Sequence, residues 1–181
     1  MCDDAGGART SAMTFTAPQD PEAVTLIEDR EPQPVLSIRS TVAVAELGQA
    51  QGEWLSELWR SMQERDVAPL GPPFVRYHTF GEAETDVELG FPVSAGVAGD
   101  GRIEAGWLPG GAAVVTWHFG AHDNLGEAYS RLNAWLEDNG REAAGPAWEV
   151  YWWIDPSRQP DPSAWPPPTQ WHTELVQPVP E

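Results

Sequence analysis

Apolar side chains recur along this chain in two rhythms that take turns. Val24-Thr25-Leu26-Ile27 and Val35-Leu36-Ser37-Ile38 are short β-prone runs, separated by the breakers Pro32 and Pro34. From Gln51 to Arg65 the period changes. Trp54, Leu55, Leu58, Trp59 and Met62 fall on one stripe at helical spacing, and Pro69 and Gly71 lie beyond its end. Phe74 to Phe80 and Val87 to Val93 then read as two further strands. The same order follows again. Ala113 to Phe119 is a strongly β-forming run, entered through Leu108-Pro109-Gly110-Gly111. Leu125, Tyr129, Leu132 and Leu136 make a second helical stripe, ended by Asn139-Gly140. Trp148 to Ile154 is the most β-prone stretch of the chain, and Thr173 to Val176 closes the series. Pro156 to Pro168 reads as a loop or an extended lid. Residues 1–22 are small, polar and Pro-containing, and read as a disordered leader in which Met13 offers a second start.

The recurrence extends to the letters. Gly71-Pro72-Pro73-Phe74-Val75-Arg76-Tyr77 returns as Gly145-Pro146-Ala147-Trp148-Glu149-Val150-Tyr151, an offset of 74 residues. The offset holds upstream, where Ser56, Leu58 and Met62 align with Ser130, Leu132 and Leu136. Downstream, Glu88 to Val93 reappears as Glu174 to Val179, and the offset has grown to 86. The extra twelve residues fall in the Pro-rich stretch between Asp155 and Trp171. The pattern implies an internal duplication of a β-α-β-β unit, over about 23–95 and 101–181. The expected fold is α+β: an antiparallel sheet with two helices on one face and a crevice at the seam between copies.

Composition narrows the function classes. The 181 residues carry 28 acids against ten arginines and no lysine, a formal charge of −18. Such a surface repels a phosphate backbone and attracts cations, so direct nucleic-acid binding is not expected. Cys2 is the single cysteine, which leaves no internal disulfide and no thiolate zinc site. No apolar run approaches the roughly 20 residues of a spanning helix, and Met1 to Arg9 lacks the order of a secretory signal. A cytoplasmic protein without a membrane partner is the expectation.

Glu149 is the first candidate for chemistry. Strand alternation puts Glu149, Tyr151 and Trp153 on one face, with Trp148, Val150 and Trp152 on the other. Its repeat counterpart is Val75, so the fold does not ask for an acid there. A carboxylate in so apolar a run needs a partner or a ligand; the alternatives are an edge-strand position facing water, or an ion pair with Arg76 or Arg141. Of the ten tryptophans, Trp54, Trp59 and Trp135 belong to helix stripes and read as core. Trp107, Trp117, Trp153, Trp165 and Trp171 lie on strands or loops of the second unit and are better placed to stack on a ligand. His118 and His122 stand four apart on a strand-to-loop segment, a spacing that does not place both on one face. With His78 and His172 scattered, neither a metal nor a cofactor is signalled. Gly-x-Ser-x-Gly and phosphate-loop motifs are missing as well.

Taken in order, Leu108-Pro109-Gly110-Gly111, His118-x-Gly120, Gly145-Pro146-x-x-Glu149-x-Tyr151, Asp155-Pro156 and Thr173-Glu174-Leu175 resemble the GyrI-like small-molecule-binding family over about 24–181. The resemblance implies two β-α-β-β units around a central crevice, and binding of lipophilic, often cationic aromatic compounds with help from the strand glutamate that matches Glu149. Family members of similar architecture hydrolyse cyclopropane-containing DNA alkylators. The module also occurs at the C-terminus of multidrug-responsive regulators, but only about 23 residues precede it here, too few for a DNA-binding domain.

Three readings follow. The first is a stand-alone binder of aromatic, preferably cationic drugs, serving sequestration or resistance, with Glu149, Tyr151, Trp153, Tyr77, Trp107, Trp117, Trp165 and Trp171 around the ligand. The second is a hydrolase of strained electrophiles in which Glu149 is the general base and Tyr151 or Tyr77 the hydrogen-bond donor. The third is a protein-interaction module of gyrase-inhibitor type with an unknown protein partner.

Overall fold

Both helical stripes do form helices, and both helices end the same way. In the computed structural model, which describes residues 15–181, α1 spans Leu47–Glu64 and α2 spans Leu125–Asp138. α1 buries Trp54, Leu55, Leu58 and Met62; α2 buries Ala128, Leu132 and Leu136. Each helix is closed by a residue in the left-handed region, Asp66 (φ 54°) after α1 and Gly140 (φ 60°) after α2. The amides of Val67 and Arg141 then bond back to the carbonyls of Met62 and Leu136. Asp66 and Gly140 are themselves repeat mates.

The strands are β1 (Thr25–Arg30), β2 (Gln33–Ala43), β3 (Phe74–Phe80), β4 (Glu84–Pro92), β5 (Glu104–Leu108), β6 (Gly111–Phe119), β7 (Trp148–Tyr151) and β8 (His172–Pro178). They form one curled antiparallel sheet in the order β1-β6-β8-β7-β3-β4-β2-β5. The two β-α-β-β units, β2-α1-β3-β4 and β6-α2-β7-β8, meet at β3 and β7. There Val75 stands opposite Glu149, flanked by the pairs Phe74–Val150 and Arg76–Trp148. A pseudo-two-fold axis therefore passes between Val75 and Glu149. The leading strands are exchanged: β1 pairs with β6 of the second unit, and β5 pairs with β2 of the first.

Pleating divides the core in two. Leu36, Ile38, Val75, Leu89 and Phe91 lie under α1, while Val114 and Leu175 lie under α2, so both helices cover one face. On the other face Val35, Phe74, Val115, Trp148, Val150 and Val176 pack inside the curl of the sheet. None of the described helices is long and apolar enough to cross a membrane.

The elements depart from the sequence reading in three places. Pro34 does not separate strands but lies at the second position of β2, where its carbonyl accepts the Val93 amide and the lost donor is tolerated. β5 was not foreseen, because its five residues lie in a Gly-rich approach. β7 stops at Tyr151 instead of Ile154: the Ile154 amide bonds back to the Tyr151 carbonyl and turns the chain. The leader falls mostly outside the described residues. Its last part includes Phe15, which stacks on His172 at 5.0 Å and meets Trp117 edge-on at 5.5 Å.

Candidate functional site

Register places Glu149 between two apolar neighbours, Val75 on β3 and Leu175 on β8, on the face that carries the helices. It is 2% exposed. The gap between α1 and α2 lies over it, and its contacts are phenols. Tyr129 on α2 donates to Oε1 at 2.6 Å, and Tyr151, two residues along the same strand face, donates to Oε2 at 2.8 Å. No arginine or histidine pairs with it among the described residues. Arg76 lies across the sheet beside Trp148, and Arg141 donates to the Pro180 carbonyl. Burial pushes the Glu149 carboxyl above the ordinary carboxylate range, and the two phenol bonds pull only part of the way back.

The three tyrosines of the chain meet here. Burial raises Tyr151 and Tyr129 well above the usual phenol value, and the Glu149 charge adds to the effect. Tyr77, bonded by the Gln51 amide at 3.3 Å, is pushed up to about 12 for the same two reasons. Each phenol therefore keeps its proton near neutral pH, and Tyr129 and Tyr151 spend theirs on Glu149.

Two hollows adjoin this cluster. One, of about 450 Å³, is lined by Tyr77, Phe80, Leu125, Gly126, Tyr129 and Glu149. The other, of about 270 Å³, lies on the α1 side against Gln51, Gly52, Leu55 and Tyr151. Trp153 covers that side. Its ring stacks on Tyr151 at 5.3 Å, lies parallel to Trp171 at 3.9 Å and 6°, and meets Trp165 edge-on at 5.1 Å. The Trp171 indole is held by the Pro166 carbonyl at 2.9 Å, so the Pro-rich loop folds down over the crevice.

Six of the eight residues proposed from sequence line these two adjoining hollows: Tyr77 and Glu149 the larger, and Tyr151, Trp153, Trp165 and Trp171 the smaller. Trp107 and Trp117 lie elsewhere. Trp107 is 58% exposed on the outer strand β5, and Trp117 faces the opposite side of the sheet, near Trp152 and Phe15. Glu174 also points away, accepting the Trp152 indole N–H at 2.9 Å.

Several members of the site went unread in the sequence. Tyr129 falls on the core stripe of α2 in the sequence, although a phenol among leucines, whose repeat mate is Leu55, is a signal of the same kind as Glu149 opposite Val75. Gln51, Phe80 and His122 were also missed. His122 contradicts the expectation that His118 and His122 diverge. Gly120 (φ 111°) reverses the chain, and the two rings come within 6.4 Å. Burial lowers His122 to about 4, so it sits neutral against Thr173 at 2.8 Å and beside Tyr151.

The fold has known counterparts. Residues 25–179 match the family model of the GyrI-like small molecule binding domain. The chain belongs to this family. No curated protein matches it in sequence. Among solved structures, this GyrI-like chain is similar to the C-terminal domain of EcmrR, with 25% identity and a TM-score of 0.67 over 88% of this chain and 96% of that one. It shares its fold with a hydrolase from Listeria innocua, at 13% identity and a TM-score of 0.61, covering 90% and 94% of the two chains. SAV2435, solved bound to tetraphenylphosphonium, aligns at 12% identity and a TM-score of 0.54, covering 87% and 94%.

Proposed function

We propose that this GyrI-like domain binds lipophilic aromatic cations in the crevice, with Glu149 as the charge partner, and that it acts by sequestering them. The observation that carries this reading is the environment of Glu149. It is a fully buried carboxylate held by two neutral phenols, with no basic side chain paired to it among the described residues and aromatic rings on either side. A buried charge of this kind is costly until a cation meets it, and a cation with flat apolar rings satisfies the acid and the ring faces together. The tetraphenylphosphonium held by SAV2435, a protein of the same fold, supports the ligand class. Hydrolysis through Glu149 is less well supported. Both carboxylate oxygens already accept O–H bonds, so an attacking water would have to displace a phenol to reach the base.

The test is calorimetric titration of the wild type and Glu149→Gln with N-methylacridinium, and with uncharged acridine at pH 8. The substitution should cost the cation ~1–3 kcal/mol, the range for removing a charged partner, and the neutral ring much less. Equal losses for both ligands would refute charge recognition. Recovery of ligands with the mass of water added would favour the hydrolase.

A further inference from the structure

The duplication that builds the crevice makes two half-clefts. Gln51, Gly52, Leu55, Tyr151 and Ile154 bound the one beside α1. Their repeat mates, each at an offset of 74, are Leu125, Gly126, Tyr129, Tyr77 and Phe80, which bound the one beside α2. The pseudo-two-fold axis exchanges the two sets. Glu149, beside the axis, gives one oxygen to each: Oε1 is bonded by Tyr129 of the α2 half and Oε2 by Tyr151 of the α1 half.

The halves differ in what lines them and in the space left, about 270 Å³ beside α1 and about 450 Å³ beside α2. On the α1 side the Tyr151 ring is covered by Trp153, which is backed in parallel by Trp171 at 3.9 Å and closed edge-on by Trp165. Trp165 comes from the twelve-residue insertion of the second repeat, and Trp171 stands at its end. On the α2 side the mate ring, Tyr77, meets only Phe80 among the described aromatic residues, edge-on at 5.5 Å. Phe80 is 64% exposed at the rim of an open apolar hollow. The indole on Tyr151 therefore sits where the symmetry would place a ligand ring on Tyr77.

We propose that Trp153, Trp165 and Trp171 are a built-in occupant of the α1 half-cleft, and that one aromatic cation binds in the α2 half, stacked on Tyr77 between Phe80 and Tyr129 with its charge at Glu149 Oε1. This rests on the reading of the crevice as a cation site and adds its pose, its stoichiometry and its size limit. A flat cation that fits one half is accepted. A ligand long enough to cross the axis must displace Trp153 together with the two indoles packed against it, Trp171 face-on and Trp165 edge-on, and is rejected.

Two glycines give a matched test. Gly126 and Gly52 are repeat mates near the starts of α2 and α1, and a Cβ at either would meet nothing within 4 Å. Leucine at either position should be tolerated by the helix and should project into its own half-cleft. The full chain and both variants would be titrated calorimetrically with N-methylacridinium, after thermal melts show that each is folded. We expect one site per chain in the wild type. Gly126→Leu should lower affinity by about tenfold or more through direct obstruction, and Gly52→Leu should change it by less than about twofold. A third variant, Trp165→Ala, should admit an elongated bis-quinolinium cation that the wild type binds poorly. Loss in Gly52→Leu alone, equal loss in both glycine variants, loss in neither, or two sites in the wild type would each overturn the assignment. Failure of the wild type to bind any aromatic cation would instead overturn the reading of the crevice on which the assignment rests.

Discussion

At the scale of the residue, Glu149 is a liability that the fold does not need. Its repeat mate Val75 fills the equivalent place with a side chain that costs nothing to bury. The sign of the cost is testable. The unfolded carboxyl ionises at its ordinary value near 4.5, while the folded one is held above it by burial. Between the two the folded state binds the extra proton, so stability falls as pH rises through that window and stays lower above it. Glu149→Gln removes this penalty while its amide can still accept from one phenol and donate to the other. The variant should therefore melt at a higher temperature than the wild type at pH 8, and the gap should close as pH falls toward 4.5. Thermal melts of both proteins across that range decide it; an advantage that is constant with pH would mean that Glu149 is not ionised in the free protein. Cation affinity should run the other way in the wild type. It should fade as acidification protonates Glu149, beginning above the ordinary carboxylate range.

At the scale of the element, the duplication was legible because it is written in residues that each unit needs twice. Phe74 and Trp148, Tyr77 and Tyr151, and the leucine stripes of α1 and α2 all occupy equivalent places. Glu149 and Tyr151 were readable from strand alternation alone. The exchange of β1 and β5 between units was not, because a strand's own pattern records which face is buried and not which neighbour it pairs with. Trp117 illustrates the same limit: its run is strongly β-forming, but only the pairing with Glu174 reveals which face it takes. Tyr129 was hidden by the opposite fault, a helical stripe so regular that its phenol passed as core. Gly90 shows where the two copies are not interchangeable. Its mate is Val176, yet a Cβ at Gly90 would run into the backbone carbonyl oxygen of Leu36 and stand 2.8 Å from both the Phe74 ring and the Ser37 Cβ. Gly90→Ala should therefore destabilise the protein by ~1–3 kcal/mol through overpacking, read as a lower denaturant midpoint. A neutral result would mean that β2 at Leu36 as well as the Phe74 ring gives way at little cost.

At the scale of the whole molecule, the pseudo-symmetry explains why the acid stands alone. Under a perfect two-fold, a carboxylate at 149 would face a second one at 75, directly opposite across the strand pair. Two like charges at that separation would hold one of them protonated. Sequence divergence within one chain lets a single acid stand beside the axis and remain available to a cation. The rest of the surface works over a longer range. The chain carries a formal charge of −18, and a field of that sign raises the local concentration of cations and speeds their arrival. The two contributions separate kinetically. In stopped-flow measurements with N-methylacridinium, the association rate should fall as ionic strength rises, and it should fall nearly as steeply in Glu149→Gln, which removes only one of the 28 acids. The dissociation rate should be faster in the variant and should respond far less to salt in both proteins, because Glu149 is buried where mobile ions screen it poorly. A salt slope that disappeared with Glu149 would place the attraction in the crevice alone and leave the acidic surface without a part in capture.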